Sequence, residues 1–300
     1  MKISELTGLP LIDESSVNQL LSAHPSLQPR PSRASQHPGP AGITPNSSRG
    51  SGTEFDDLRP FQPGDDPKQI DWRATARSQQ TLVRSYLSEF QQPLYLIVDR
   101  SSSMRFGSQR QLKVRLAAHV ALSLVGIFHQ EGREVGALLL NPKFDWYPAT
   151  TNLESLRQFA AAAVTACPPT ASDNLEWHRI FALLIEQLPR GAKLILISDF
   201  LNLDARAVPQ LGELAQKVEL GAVLISDPLE QRVPTLSGLR LDWGAASVRL
   251  DSPETVAQFN QLQEQQRNNL KSYFSRAGVE LSEILTSTES LTDSWLGRLL

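Results

Sequence analysis

A single cysteine, Cys167, in 300 residues excludes an internal disulfide framework and fits a reducing compartment. No histidine has an evident claim to act as its base, so a small, buried, apolar role is expected for it. Long apolar runs are missing as well. No stretch approaches the roughly 20 apolar residues of a membrane span, and the opening MKISELTGLPLIDE has no signal-peptide core. Charge of one sign is also lacking: 29 Lys and Arg against 32 Asp and Glu leave a net charge of −3. That balance gives no electrostatic footprint for nucleic acid or an anionic membrane. Several catalytic signatures are absent. There is no G-x-S-x-G elbow, no G-x-x-x-x-G-K-[ST] phosphate loop, and no H-E-x-x-H among the five histidines. The expectation is a cytoplasmic, non-enzymatic protein.

What is present changes along the chain. Residues 1–23 read as an N-terminal helix starting near Asp13, with Val17, Leu20 and Leu21 on one apolar face. Residues 24–53 are rich in Pro, Ser, Gly and Arg, contain no acid, and read as a disordered linker. Residues 54–92 begin with a polar stretch punctuated by Pro63-Gly64 and Asp66-Pro67, followed by a strand-like TLVRSYLSEF at 81–90. From residue 93 to 300 the chain alternates. Helical patterns at 111–129, 153–164, 175–188, 208–218 and 253–277 separate apolar strands at 94–98, 135–140, 194–197, 220–225 and 279–285. A hairpin is expected at 238–250, and a last helix after residue 285. Strands alternating with helices indicate an α/β fold with a mainly parallel sheet, helices on both faces, and a small β-containing subdomain ahead of it.

The most informative string is LYLIVDRSSSM at 94–104. An apolar strand ends on Asp99, and hydroxyls follow at alternating positions, Ser101 and Ser103. A second strand ends on an acid at Asp199, in LILISDF. Ligands of open α/β sheets collect outside the carboxyl ends of the strands, where both acids would meet. One or two carboxylates, hydroxyls and waters make a hard-oxygen shell suited to Mg²⁺ or Mn²⁺. The loop PPTASDNL at 168–175 supplies a further hydroxyl, from Thr170 or from Ser172-Asp173 in its place. The bland alternative is a strand followed by a Ser-rich turn.

D-x-S-x-S at 99–103 resembles the first loop of the metal-ion-dependent adhesion site of von Willebrand factor A domains. By that resemblance Asp99, Ser101 and Ser103 are metal or nearby ligands, Thr170 the second-loop hydroxyl and Asp199 the third-loop acid. Upstream, RGSGTEFDDLRPFQPGDDPKQIDWRATAR at 49–77 resembles the signature of the bacterial family known as domain of unknown function 58. Glu54, Arg59, Gly64, Asp65, Asp71, Trp72 and Arg77 carry that signature, either as a partner-binding surface or as an Asp71–Arg77 pair, a Gly64 turn and a Trp72 anchor. SDPLEQRVP at 226–234 resembles a further element of the family. Members often carry an N-terminal membrane hairpin, which is not expected here, and residues 1–48 match no element of the family. Such proteins commonly accompany MoxR-type AAA+ ATPases. The resemblance therefore implies a metal-dependent protein-interaction module, adaptor or chaperone-like, working with such an ATPase or its client. A structural scaffold without metal dependence and a Mg²⁺-dependent hydrolase are the alternatives.

Overall fold

The computed structural model describes residues 11–22, 54–60, 75, 77, 81–87, 92–140, 144–165, 175–234, 239–243, 246–250, 252–289, 291 and 295–296, with the backbone alone for residues 54–60, 82–87, 239–243 and 246–250. Two compact units emerge, one of Ser32–Gln91 and one of Met1–Pro31 with Gln92–Leu300.

Helix α1 (Glu14–Ser22) starts at Asp13, whose carboxylate accepts from the Ser16 amide at 2.9 Å and the Ser16 hydroxyl at 2.7 Å. In the smaller unit, β1 (Glu54–Pro60) pairs antiparallel with β2 (Leu82–Leu87), with a bulge between Phe55 and Asp57. The larger unit then runs β3 (Leu94–Asp99), α2 (Lys113–Gln130), β4 (Val135–Leu140), β5 (Asp145–Thr150), α3 (Leu153–Val164), α4 (Trp177–Gln187) and β6 (Lys193–Ser198). It continues through α5 (Val208–Lys217), β7 (Glu219–Ser226), the single turn α6 (Pro228–Gln231), the hairpin β8 (Leu239–Trp243) and β9 (Ala246–Leu250), α7 (Pro253–Arg276) and β10 (Glu280–Leu285). No described helix is long and apolar enough to cross a membrane.

Six strands form one sheet in the order β10-β7-β6-β3-β4-β5. All neighbours are parallel except β4 and β5. Strands β3, β4 and β6 are buried along their whole length, as their continuous apolar sequences require of a sheet covered on both faces. Alternation along β3 divides the core. Leu94, Leu96 and Val98 join α1, α2 and α3 on one face, while Tyr95 and Ile97 join α4, α5 and the end of α7 on the other. The antiparallel edge strand β5 goes unread in the sequence because DWYPAT contains Pro148, which is tolerated at a sheet edge.

Helix α2 is buried nearly all round. The sheet covers one side, and α1 packs against another through Val17 and Leu21. A Cβ at Gly126 of α2 would lie 2.2 Å from the Leu20 carbonyl oxygen, so glycine is what lets the two backbones approach. The N-terminal helix thus belongs to the hydrophobic core of the larger unit.

Candidate functional site

The sheet's switch point lies between β3 and β6, where the strand order reverses direction, and side chains at their carboxyl ends share one crevice. Asp99 closes β3 there and is buried. Its Oδ1 accepts from the Ser101 amide at 2.8 Å, and its Oδ2 accepts from the Ser198 hydroxyl at 2.5 Å. Burial pushes the Asp99 carboxyl up to about 7, the negative charge of Asp199 adds to the rise, and the bonds from Ser198 and Ser101 oppose it. The chain then enters a 3₁₀ turn (Ser102–Arg105) that buries Met104 and brings the Oγ atoms of Ser101 and Ser103 within 3.1 Å. Arg100, next to Asp99, turns the other way and donates to the Thr165 carbonyl, just before the second loop.

Asp199 follows β6 and is held by a strained neighbour. Phe200 has φ = 50°, the left-handed region that non-glycine residues seldom adopt. Its ring sits between Trp177 and Phe274, with centroids 5.1 and 4.9 Å away, and its amide donates to the Ser198 hydroxyl at 2.9 Å. Packing and hydrogen bonding together over-determine this turn, which aims Asp199 into the crevice. There its Oδ1 accepts from the Leu201 amide at 3.1 Å, and its Oδ2 accepts from the Lys113 ammonium at 2.7 Å. Lys113, on the first turn of α2, is 1 % exposed and also donates to Glu230 at 2.5 Å. Burial disfavours its charge, but the attraction of Asp199 and Glu230 outweighs burial and raises its pKa, so it stays an ammonium.

Glu230 in turn belongs to a capping box: the Asp227 amide donates to its Oε2 at 3.0 Å, and Asp227 caps α6 by accepting from the Leu229 amide at 2.9 Å. Asp227 also accepts from the Ser108 amide at 2.8 Å, the Ser108 hydroxyl at 2.5 Å and the Thr286 hydroxyl at 2.5 Å. Burial pushes its carboxyl up, but these bonds outweigh burial and hold it below the usual carboxylate range. The loop after β3, the turn after β7 and the end of β10 are thereby tied to one side chain. Beside Asp199 and Glu230 a cleft of about 230 Å³ opens toward α7, walled by Gln263, Gln266 and Asn269.

Asp99, Ser101, Ser103 and Asp199 therefore share the switch-point edge. Thr170, Ser172, Asp173 and Cys167 lie outside the described residues, as do Gly64, Asp65, Asp71 and Trp72. Glu54 and Arg59 lie on β1, described by its backbone alone, and Arg77 is exposed in a turn. Sequence reasoning passes over Lys113 and Ser198, and it reaches Asp227 and Glu230 only as part of the family-like string SDPLEQRVP, with no place at the crevice. Two of these signals were readable. Lys113 shares a helical face with Leu116, Ala117 and Val120, a lone charge on a buried stripe. Asp227-Pro-Leu-Glu230 has the D-P-x-E pattern of a capped helix start.

No group of three or more His, Cys, Asp or Glu side chains among the described residues could hold a metal. The donor set is one carboxylate with hydroxyls, and it suits Mg²⁺: the 3.1 Å between Ser101 and Ser103 Oγ is close to the ~3.0 Å edge of an octahedron with ~2.1 Å bonds. Both Asp99 oxygens already accept one bond each, and an ionised carboxylate has lone pairs to spare.

A mainly parallel sheet with one antiparallel edge strand, helices on both faces and an acid-hydroxyl loop at its switch point define a doubly wound α/β protein. The chain belongs to the family described as protein of unknown function DUF58, which matches residues 57–274. Uncharacterized proteins of Mycobacterium tuberculosis (strain H37Rv) and Mycobacterium bovis are each 28% identical to it over 195 residues, 64% of this chain and 61% of theirs. The chain thus spans under two thirds of the length of these relatives. Similar solved structures include the conserved hypothetical protein BatB from Bacteroides thetaiotaomicron, with TM-score 0.44 and 13% identity over 69% of this chain and 96% of that one. Another is a von Willebrand factor type A protein from Catenulispora acidiphila, with TM-score 0.35 and 12% identity over 72% of this chain and 42% of that one.

Proposed function

We propose that the chain is a non-enzymatic protein-interaction module that docks its partner at the switch-point edge of the sheet, through Mg²⁺ or Mn²⁺ held by Asp99, Ser101 and Ser103. The observation that carries this reading is a buried acid at the end of the central strand beside two hydroxyls 3.1 Å apart. A bound Mg²⁺ supplies an exchangeable coordination position that a partner carboxylate can take, since this ion keeps part of its water shell. The residues around it orient and shield. Ser198 and the Ser101 amide fix the Asp99 carboxylate, and buried Met104 anchors the hydroxyl turn. A nucleophilic role for Asp99 is disfavoured, because the position two residues later, where an aspartyl nucleophile of a phosphatase needs a second acid, is Ser101. The partner in this reading is a MoxR-type AAA+ ATPase or its client, as family resemblance suggests, and the meeting place is the cytoplasm, as the single cysteine and the apolar patterning suggest.

Calorimetric titration with Mg²⁺ and Mn²⁺ should give one site in the wild type and none in Asp99→Ala. Equal binding by both would refute the assignment. A second reading is a scaffold without metal dependence, favoured by the Lys113 ammonium already on Asp199. Capture of an ATPase of that type, unchanged by a chelator and by Asp199→Ala, would establish it.

A further inference from the structure

Lys113 is the least expected side chain in the crevice. It is buried at the start of α2, with its ammonium 2.7 Å from Asp199 and 2.5 Å from Glu230. The Lys113 amide donates to the Phe106 carbonyl at 2.8 Å, and the Phe106 ring centroid lies 6.0 Å from its Nζ. The backbone therefore places this lysine from the same loop that carries Ser101 and Ser103. A long, flexible, strongly hydrated side chain is stripped of water here only because two carboxylates from other parts of the fold close on it. Counted together, Lys113, Asp199 and Glu230 carry one net negative charge, so Asp199 reaches the crevice already sharing a cation.

We propose that Lys113 is a resident counter-cation that occupies Asp199 and so withholds it from direct metal coordination. The inference rests on the metal reading of Asp99, Ser101 and Ser103. An ammonium and a divalent cation compete for the same carboxylate and repel each other across a poorly solvated crevice. Direct coordination by Asp199 would either divide its single charge between the metal and Lys113, holding two cations side by side, or strand a buried ammonium on Glu230 alone. The crevice therefore holds the metal weakly and leaves it electrophilic toward an incoming carboxylate. Lys113 acts as a positioning residue that sets affinity by keeping Asp199 away.

The test is Mn²⁺ titration of the full chain, by calorimetry and by electron paramagnetic resonance of the free ion. Lys113→Met should tighten Mn²⁺ binding about tenfold or more, because it removes a competing charge and frees a ligand. Lys113→Met with Asp199→Asn should lose that gain, which a merely structural role would not produce. Since Lys113→Met leaves two facing carboxylates and can fail to fold, Lys113→Met with Glu230→Gln provides the second variant. It keeps the local charge at −1 and frees Asp199, and it should tighten binding in the same direction. Wild-type binding that neither variant strengthens would overturn the proposal and leave the metal reading standing. Binding by the variants but not by the wild type would support the proposal and refute metal-dependent docking by the native chain. Absence of binding in all of them would refute both.

Discussion

Replacing Asp227 should cost a large share of the stability of the larger unit, although it lies outside the proposed metal shell. Its side chain is 0 % exposed and accepts four hydrogen bonds, from the Ser108 amide and hydroxyl, the Leu229 amide and the Thr286 hydroxyl. In Asp227→Ala the exposed Ser108 groups regain water, but Thr286 is 0 % exposed and its hydroxyl does not. Unpaired buried donors cost about 1–3 kcal/mol each, and bonds to a charged acceptor contribute about 1.5–3 kcal/mol. A loss of about 3–6 kcal/mol follows. Each carboxylate oxygen accepts one amide and one hydroxyl, so in Asp227→Asn one hydroxyl can turn to accept from the NH₂ but one backbone N–H loses its acceptor; placing the NH₂ toward the exposed Ser108 amide limits the loss to about 1–3 kcal/mol. Urea unfolding followed by tryptophan fluorescence measures both. The pH dependence adds a sign. The folded-state pKa of Asp227 lies below its unfolded value of 3.8, so its contribution is fully present above that value and is lost as pH falls through the folded one. The gap between wild type and Asp227→Ala should be constant from about pH 6 to 8 and shrink below about pH 4. An Ala variant within about 1 kcal/mol of wild type at pH 7 would refute the reasoning, as would a gap that widens in acid.

Two further outcomes follow from the same kind of argument. Asp99 titrates near 7 when folded and at 3.8 when unfolded, so in a chelating buffer stability should decline as pH rises from about 4 to 7 and level off above. Asp99→Asn should therefore melt higher than wild type at pH 8 while losing metal binding, and a lower melting temperature would contradict the burial argument. Gly126→Leu drives a side chain into the Leu20 carbonyl and should displace α1, re-exposing Val17 and Leu21, each contributing about 1.5–3 kcal/mol by burial. Limited proteolysis should then cleave within 11–22 faster than in wild type, and unchanged protection would place α1 elsewhere.

The sheet was legible because β3, β4, β6 and β7 carry apolar runs of the length that a doubly covered parallel strand needs, with helical periodicity between them. The acids at their ends were legible for the same reason, since the strand's end marks the crevice. Strand β5 was not, because its burial is slight and Pro148 interrupts its pattern. Nor was the left-handed turn at Phe200, where tertiary packing by Trp177 and Phe274 overrides local preference. The Lys113 cluster joins positions 86 and 117 residues apart, and no local period encodes such a meeting. A lysine on the apolar face of α2 signals that partners exist without naming them.

The order in which the chain supplies the crevice bears on how it forms. Strand β3 comes first and lies in the middle; β4 and β5 then extend the sheet on one side, and β6, β7 and finally β10 extend it on the other. The Ser108 loop is fastened to Asp227, 119 residues later, and that carboxylate is fastened to Thr286 after a further 59. Closing such distant loops is slow compared with forming helices. The loop that continues the hydroxyl turn is thus fully anchored only once the turn after β7 and the end of β10 have met at Asp227, so the binding edge and the completed fold mature together.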